Sequence, residues 1–220
     1  MIQPDEIIRS RRRTLSITID PFGRLIVRAP YSFDEERIFA FLQQKEHWIT
    51  QKKSQMAGAG MRLPSENLDG YEFMLLGKSY TIHLTDEKRI VFDEAGGIVY
   101  LPKENARKKL VAWLKTNAKR IMTTVTQRVA QEMGVEYQSI TITSAKRRWG
   151  SCSFDNKLRY TFRLIYAPKE VIEYVAVHEL CHVKHKNHSP LFWAEVARFV
   201  PDWKQKRSWL KNHSILMEIF

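Results

Sequence analysis

Cysteine is scarce: Cys152 and Cys181 are the only two in 220 residues. Two thiols in a chain this long make no disulfide framework, which excludes the small secreted scaffolds and points to a reducing compartment. Long apolar runs are missing too. No stretch approaches the roughly 18–20 residues of a membrane span. The first residues, Met1-Ile2-Gln3-Pro4-Asp5-Glu6, lack the basic start and apolar core of a secretory signal. A cytoplasmic location without membrane contact is the expectation. There is no Walker-type glycine-rich loop, so a nucleotide would have to be held by side chains and metal. Repeats and low-complexity tracts are absent. Acidic residues are outnumbered, 24 against 36 Lys and Arg, for a formal net charge of +12. That balance suits anionic partners, nucleic acid among them, but the cations are spread along the chain and form no DNA-reading module.

What is present reads as α+β, with a β-rich N-terminal half. Arg9 to Arg13 is a basic cluster. Residues 14–29 read as a β-hairpin, because Leu15-Ser16-Ile17-Thr18-Ile19 alternates apolar and polar before the Asp20-Pro21-Phe22-Gly23 turn. Ser32 and Glu35 suggest a capping box for a helix over 34–56. A small-residue loop follows at 56–61, then β-structure over 71–101. A long helix is expected from Pro102 to Met133, closed by Gly134. Residues 139–143 alternate as a strand. The polar loop Lys146 to Ser153 and a strand over 158–165 lead to helices at 171–185, 190–199 and 201–212. The switch from strands to helix divides the chain into 1–102, β-rich with one helix, and 103–220.

The chemistry is concentrated in His178-Glu179-Leu180-Cys181-His182. On a helix, positions four apart share a face, so both imidazoles can bind one tetrahedral Zn²⁺. Glu179 stands beside the first of them, where a general base can reach a water on the metal. Four of the seven histidines lie between 178 and 188. The apolar run Val171, Ile172, Val175, Ala176 and Val177 makes this a largely buried helix, and buried imidazoles and carboxylates need partners. A catalytic site needs a third protein ligand. Three residues compete for that place: His188, beyond a turn at 186–189 where Ser189-Pro190 reads as an N-cap with Pro at the first helical position; Glu195 on the next helix; and His185, one turn past His182. Cys181 reads as a small buried apolar residue and Cys152 as a packing residue.

Three blocks together resemble the YgjP-like metallopeptidase family, related to the SprT and WLM zincins. They are Arg148-Trp149-Gly150-Ser151-Cys152; the H-E-L-x-H motif with His188 ten residues after His178; and His188-Ser189 with Phe192-Trp193, Pro201-Asp202-Trp203 and Trp209-Leu210. They cover about residues 145–212. Thr161-Phe162 stands where members often carry Asn-Trp. The resemblance implies a zincin-like helix and sheet catalytic half over 103–220. It also implies one Zn²⁺ on His178, His182 and His188, and a hydrolase with Glu179 as base.

Three substrates fit these expectations. A peptide would add to a strand edge, for which 158–165 is the candidate. A nucleoside triphosphate, split to monophosphate and pyrophosphate, is the second, since family members have been associated with such activity toward UTP. It needs a cationic clamp, for which Lys146, Arg147, Arg148, Arg159 and Arg163 are nearest in sequence. A DNA-associated protein substrate, as for SprT-like proteases, is the third. Lys146, Arg148, Trp149 and Arg163 are the candidate substrate contacts.

Overall fold

A computed structural model describes residues 2–20, 22–57 and 63–220. Pro21 and residues 58–61 of the expected small-residue loop lie outside them. The chain forms two compact units, one of residues 1–61 with 212–215, the other of 62–211 with 216–220. The last expected strand before residue 102 and the long helix after it lie in the same unit.

In the first unit, β1 (Glu6–Ser10), β2 (Ser16–Ile19) and β3 (Leu25–Pro30) form a sheet in the order β1-β3-β2. The expected hairpin is β2–β3. Its turn is held by Asp20, whose Oδ1 accepts from Phe22 N and Arg24 N, each at 2.9 Å. Part of the basic cluster is strand: β1 pairs in parallel with β3, and Arg9 donates to the carbonyls of Pro30 and Phe33. The single helix expected over 34–56 is two, α1 (Glu35–Gln44) and α2 (Glu46–Ala57), interrupted at Lys45. Asp34, not Ser32, caps α1 by accepting from Arg37 N. Leu25, Val27, Ala29, Ile38, Leu42 and Ile49 form the core of this unit.

The second unit carries two sheets. One has the order β4-β5-β7-β6, from β4 (Glu72–Leu75), β5 (Lys78–Thr85), β6 (Val91–Asp93) and β7 (Ile98–Pro102). The other has the order β8-β10-β9, from β8 (Ser139–Thr143), β9 (Gly150–Cys152) and β10 (Lys157–Thr161). Between the sheets in sequence runs α3 (Ala106–Met133), ended by Gly134 in the left-handed conformation, as expected of a C-cap glycine. Then follow α4 (Lys169–Lys184), α5 (Pro190–Phe199) and α6 (Trp203–Asn212). α4 packs on α3, β9 and α5, and its apolar residues Val171, Ile172, Val175, Ala176 and Val177 are buried in the core.

The expected strand over 158–165 is shorter. It ends at Thr161, and Phe162–Tyr166 is a buried 3₁₀ helix. β10 lies between β8 and β9 with both edges paired, so it is not the open edge that a peptide would join. Arg163 sits in that 3₁₀ helix with 1% of its surface exposed. Its guanidinium donates to Ile219 O at 2.8 Å, to Ser144 O at 2.9 Å and to Phe220 O, and lies over the Phe162 ring. Arg163 is therefore a structural clasp for the segment at 219–220, too deeply buried to meet a substrate. Arg163→Ala leaves three carbonyls without their donor, and is expected to cost about 3 kcal/mol. A urea unfolding midpoint equal to the wild type's would contradict that role.

Candidate metal centre and active site

The site starts from the way α4 ends. The helix stops at Lys184, and His185 takes an extended conformation while its N–H still bonds Cys181 O. The helix thus ends one residue before the expected 185. The chain then reverses, and Ser189 caps α5 by accepting from Phe192 N, with Pro190 in the first turn, as the sequence suggests. The reversal carries His188 back over α4. Its ring centroid lies 5.1 Å from that of His178 and 4.8 Å from that of His182. One ring nitrogen from each of the three histidines falls within 4.8 Å of the other two.

The ring nitrogens have defined tasks. His182 Nδ1 lies 2.9 Å from His185 O, which can only accept, so Nδ1 carries the proton and Nε2 presents a lone pair. His178 Nε2 and His188 Nε2 face each other at 3.2 Å, and His178 Nδ1 is buried with no partner among the described residues. Burial, helped by His182 and His188, pushes the His178 pKa down to about 3. Burial lowers that of His182 as well. These two imidazoles are thus kept neutral, as metal ligands must be. Phe192 packs against all three rings, with centroids 4.5–4.9 Å away. Trp193 stacks on His188 at 5.6 Å and on Trp203 at 4.2 Å. This aromatic wall fixes the ring orientations.

Glu179 is 5% exposed, and burial pushes its pKa up to about 8, opposed by the charge of Arg148. It lies under β9. A Cβ on Gly150 would stand 2.6 Å from Glu179 Oε1 and 2.8 Å from its Cγ, so only glycine allows the strand this close. β9 is the edge of its sheet, paired with β10 on one side only. A cavity of about 210 Å³ opens there, lined by Trp149, Gly150, Tyr174, Val175, His178, Glu179 and Leu210. One histidine of the group able to hold a metal, a buried carboxyl and a residue of an edge strand thus line one cavity. The YgjP-like metallopeptidase-domain family matches residues 13–213.

The chain belongs to the YgjP-like metallopeptidase family. Membership makes it a metal-dependent hydrolase and implies a catalytic metal. No curated protein matches the YgjP-like chain. Two solved structures of archaeal metallopeptidase zymogens resemble it over 40% of its length. Abylysin of Pyrococcus abyssi does so at 21% identity over 90% of its own chain with a TM-score of 0.38. For jannalysin of Methanocaldococcus jannaschii the values are 22%, 92% and 0.37.

Within this YgjP-like fold the other candidates separate. Among the rivals for the third ligand position, His188 joins His178 and His182. Glu195 is instead held by Lys184 at 3.1 Å, and His185 contributes its carbonyl. Trp149 lines the cavity, and the Arg148 charge acts on Glu179. Lys146 pairs with Glu218 at 3.2 Å, and Arg163 is consumed as described, so the expected phosphate clamp is not assembled from them. Burial pushes the Cys181 thiol up to about 12, consistent with a packing residue. Gly150, Tyr174, Phe192 and Leu210 were not singled out by sequence as site residues. Tyr174, one helical turn before His178, was accessible from spacing alone. Gly150→Ala is expected to lower kcat on a cleaved substrate by about 10²-fold, because a misplacement of the order of 1 Å has that effect. Metal content should not change. An unaltered kcat would show that β9 and Glu179 can separate freely.

Proposed function

We propose that this chain is a zinc peptidase in which His178, His182 and His188 hold one ion and Glu179 is the general base. Three imidazoles are a donor set suited to zinc, and such a set leaves a position for water or substrate. When bound, the ion supplies Lewis acidity, polarising the scissile carbonyl and acidifying the attacking water.

The chain's own residues do the rest. Glu179 accepts the proton of the attacking water at a carboxylate oxygen and passes it to the departing amine. Its burial makes it a strong enough base to hold that proton, and a cation at the histidines draws its pKa from about 8 back toward neutrality. Gly150 lets β9 approach, and the unpaired edge of β9 offers backbone N–H and C=O groups to an extended peptide, which adds as a further strand. Phe192 and Trp193 limit water around the ligand rings. The observation that carries this reading is the buried carboxyl of Glu179, which lines one cavity with His178 and lies against Gly150 of an edge strand.

The test is a zinc-reconstituted screen of casein and a mixed peptide library beside nucleoside triphosphates, with Glu179→Gln as blank. Peptide cleavage that disappears in the variant supports the proposal. Glu179-dependent pyrophosphate release with no peptide cleavage replaces it by the nucleotide reading.

A further inference from the structure

We infer that the substrate is an extended peptide segment with carboxylate side chains on both sides of the scissile bond, received by Arg148, Lys186 and Arg207. This rests on the peptidase reading of the same site.

The three cations come from three segments. Arg148 stands two residues before Gly150, at the start of β9. Lys186 lies between the ligands His182 and His188 in sequence, and its Nζ reaches the other end of β9. There it bonds Asn156 Oδ1 at 2.5 Å and Ser153 O at 3.5 Å and lies 5.7 Å over the Phe154 ring, which is 90% exposed. Arg207, on α6, lies 5.2 Å over Trp193, whose ring stacks on His188.

None of the three has a carboxylate partner among the described residues, although carboxylates are near. Each of those is already held by a different cation. Asp155 pairs with Lys157 at 2.6 Å, Glu195 with Lys184 at 3.1 Å, Asp202 with Lys206 at 2.5 Å and Glu218 with Lys146 at 3.2 Å. These four acids are spent on other cations, which leaves Arg148, Lys186 and Arg207 without them. Their charges are felt inside the site: Arg148 acts on Glu179, Arg207 on His178 and Lys186 on His182.

The placement favours a peptide over a compact polyphosphate. Three strand residues span about 10 Å, so Arg148 and Lys186 at the two ends of β9 suit side chains about four residues apart on a strand laid along it. Arg207, over the Trp193 ring that stacks on His188, suits a third.

The test uses the full chain as the zinc-loaded Glu179→Gln variant, and fluorescein-labelled peptides of one sequence with either Glu or Gln at the flanking positions. Exposed ion pairs are worth roughly three-fold each, so three of them are expected to make the Glu peptide bind about thirty-fold more tightly at low salt. The gap should close by about 0.5 M salt. Arg148→Glu, Lys186→Glu and Arg207→Glu should each weaken the Glu peptide and leave the Gln peptide unchanged. Equal binding of the two peptides, or reversals that weaken both alike, overturns the inference. So does a nucleoside triphosphate that displaces the peptide and is itself split in a Glu179-dependent way. Wild-type protein cleaving both peptides at one rate overturns the charge preference and leaves the peptidase reading intact. Preferred binding of the Glu peptide with no cleavage of either does the reverse.

Discussion

Glu179→Gln is expected to reduce kcat on any peptide the wild type cleaves by about 10²–10⁴-fold, the usual share of a positioned acid–base group. The substitution is nearly isosteric, so the contact of the side chain with the Gly150 backbone persists and the three histidines keep their walls. Zinc content, read by atomic emission, should equal that of the wild type. What the amide cannot do is take a proton from water. Full activity in the variant would remove Glu179 from the mechanism, and loss of zinc with activity would make it a structural support for the ligands. The metal-free protein offers a second readout. The pKa of Glu179 is about 8 in the folded chain against an ordinary 4.5. A raised folded pKa contributes stability that is fully present below pH 4.5 and lost as the pH rises through 8. The amide has no such dependence. Its stability relative to metal-free wild type should therefore grow between those two pH values and level off above them.

What the sequence revealed of this site was local in the chain. The i, i+4 spacing of His178 and His182, the Ser189-Pro190 start of α5 and the Gly134 cap are each a few residues long, and the structure has all three. The order of strands is not written in any short window. β10 reads as a strand from its pattern, yet whether it lies inside or at the edge of its sheet depends on β8 and β9 pairing to either side. That is why 158–165, expected as an open edge, is interior, and Gly150–Cys152 is an edge instead. Arg163 shows the same gap from the side of charge. In sequence it stands among other cations upstream of the histidines. In the fold its donors point at carbonyls more than fifty residues away. The break between α1 and α2 at Lys45 and the parallel pairing of β1 were also beyond periodicity, because tertiary contacts decide them.

His188→Ala is expected to weaken zinc by at least about 10²-fold, since loss of a partner that merely orients a ligand already costs 10–100-fold. The consequence for stability follows by mass action. Zinc at a thousand times its Kd stabilises the folded protein by about 4.1 kcal/mol, and after a hundred-fold weakening the same zinc gives about 1.4 kcal/mol. For a chain of this size, 1 kcal/mol moves Tm by about 2–4 °C. The zinc-induced rise should accordingly fall from about 8–16 °C to about 3–6 °C. His185→Ala and Glu195→Ala are the informative controls. The first leaves the backbone carbonyl that orients His182, and the second removes a carboxylate already paired with Lys184. Both should keep the full zinc-dependent rise. If His188→Ala kept it and Glu195→Ala lost it, the ion would be held by a rearranged site in which Glu195 leaves Lys184, and the juxtaposition of three imidazoles would be packing rather than ligation.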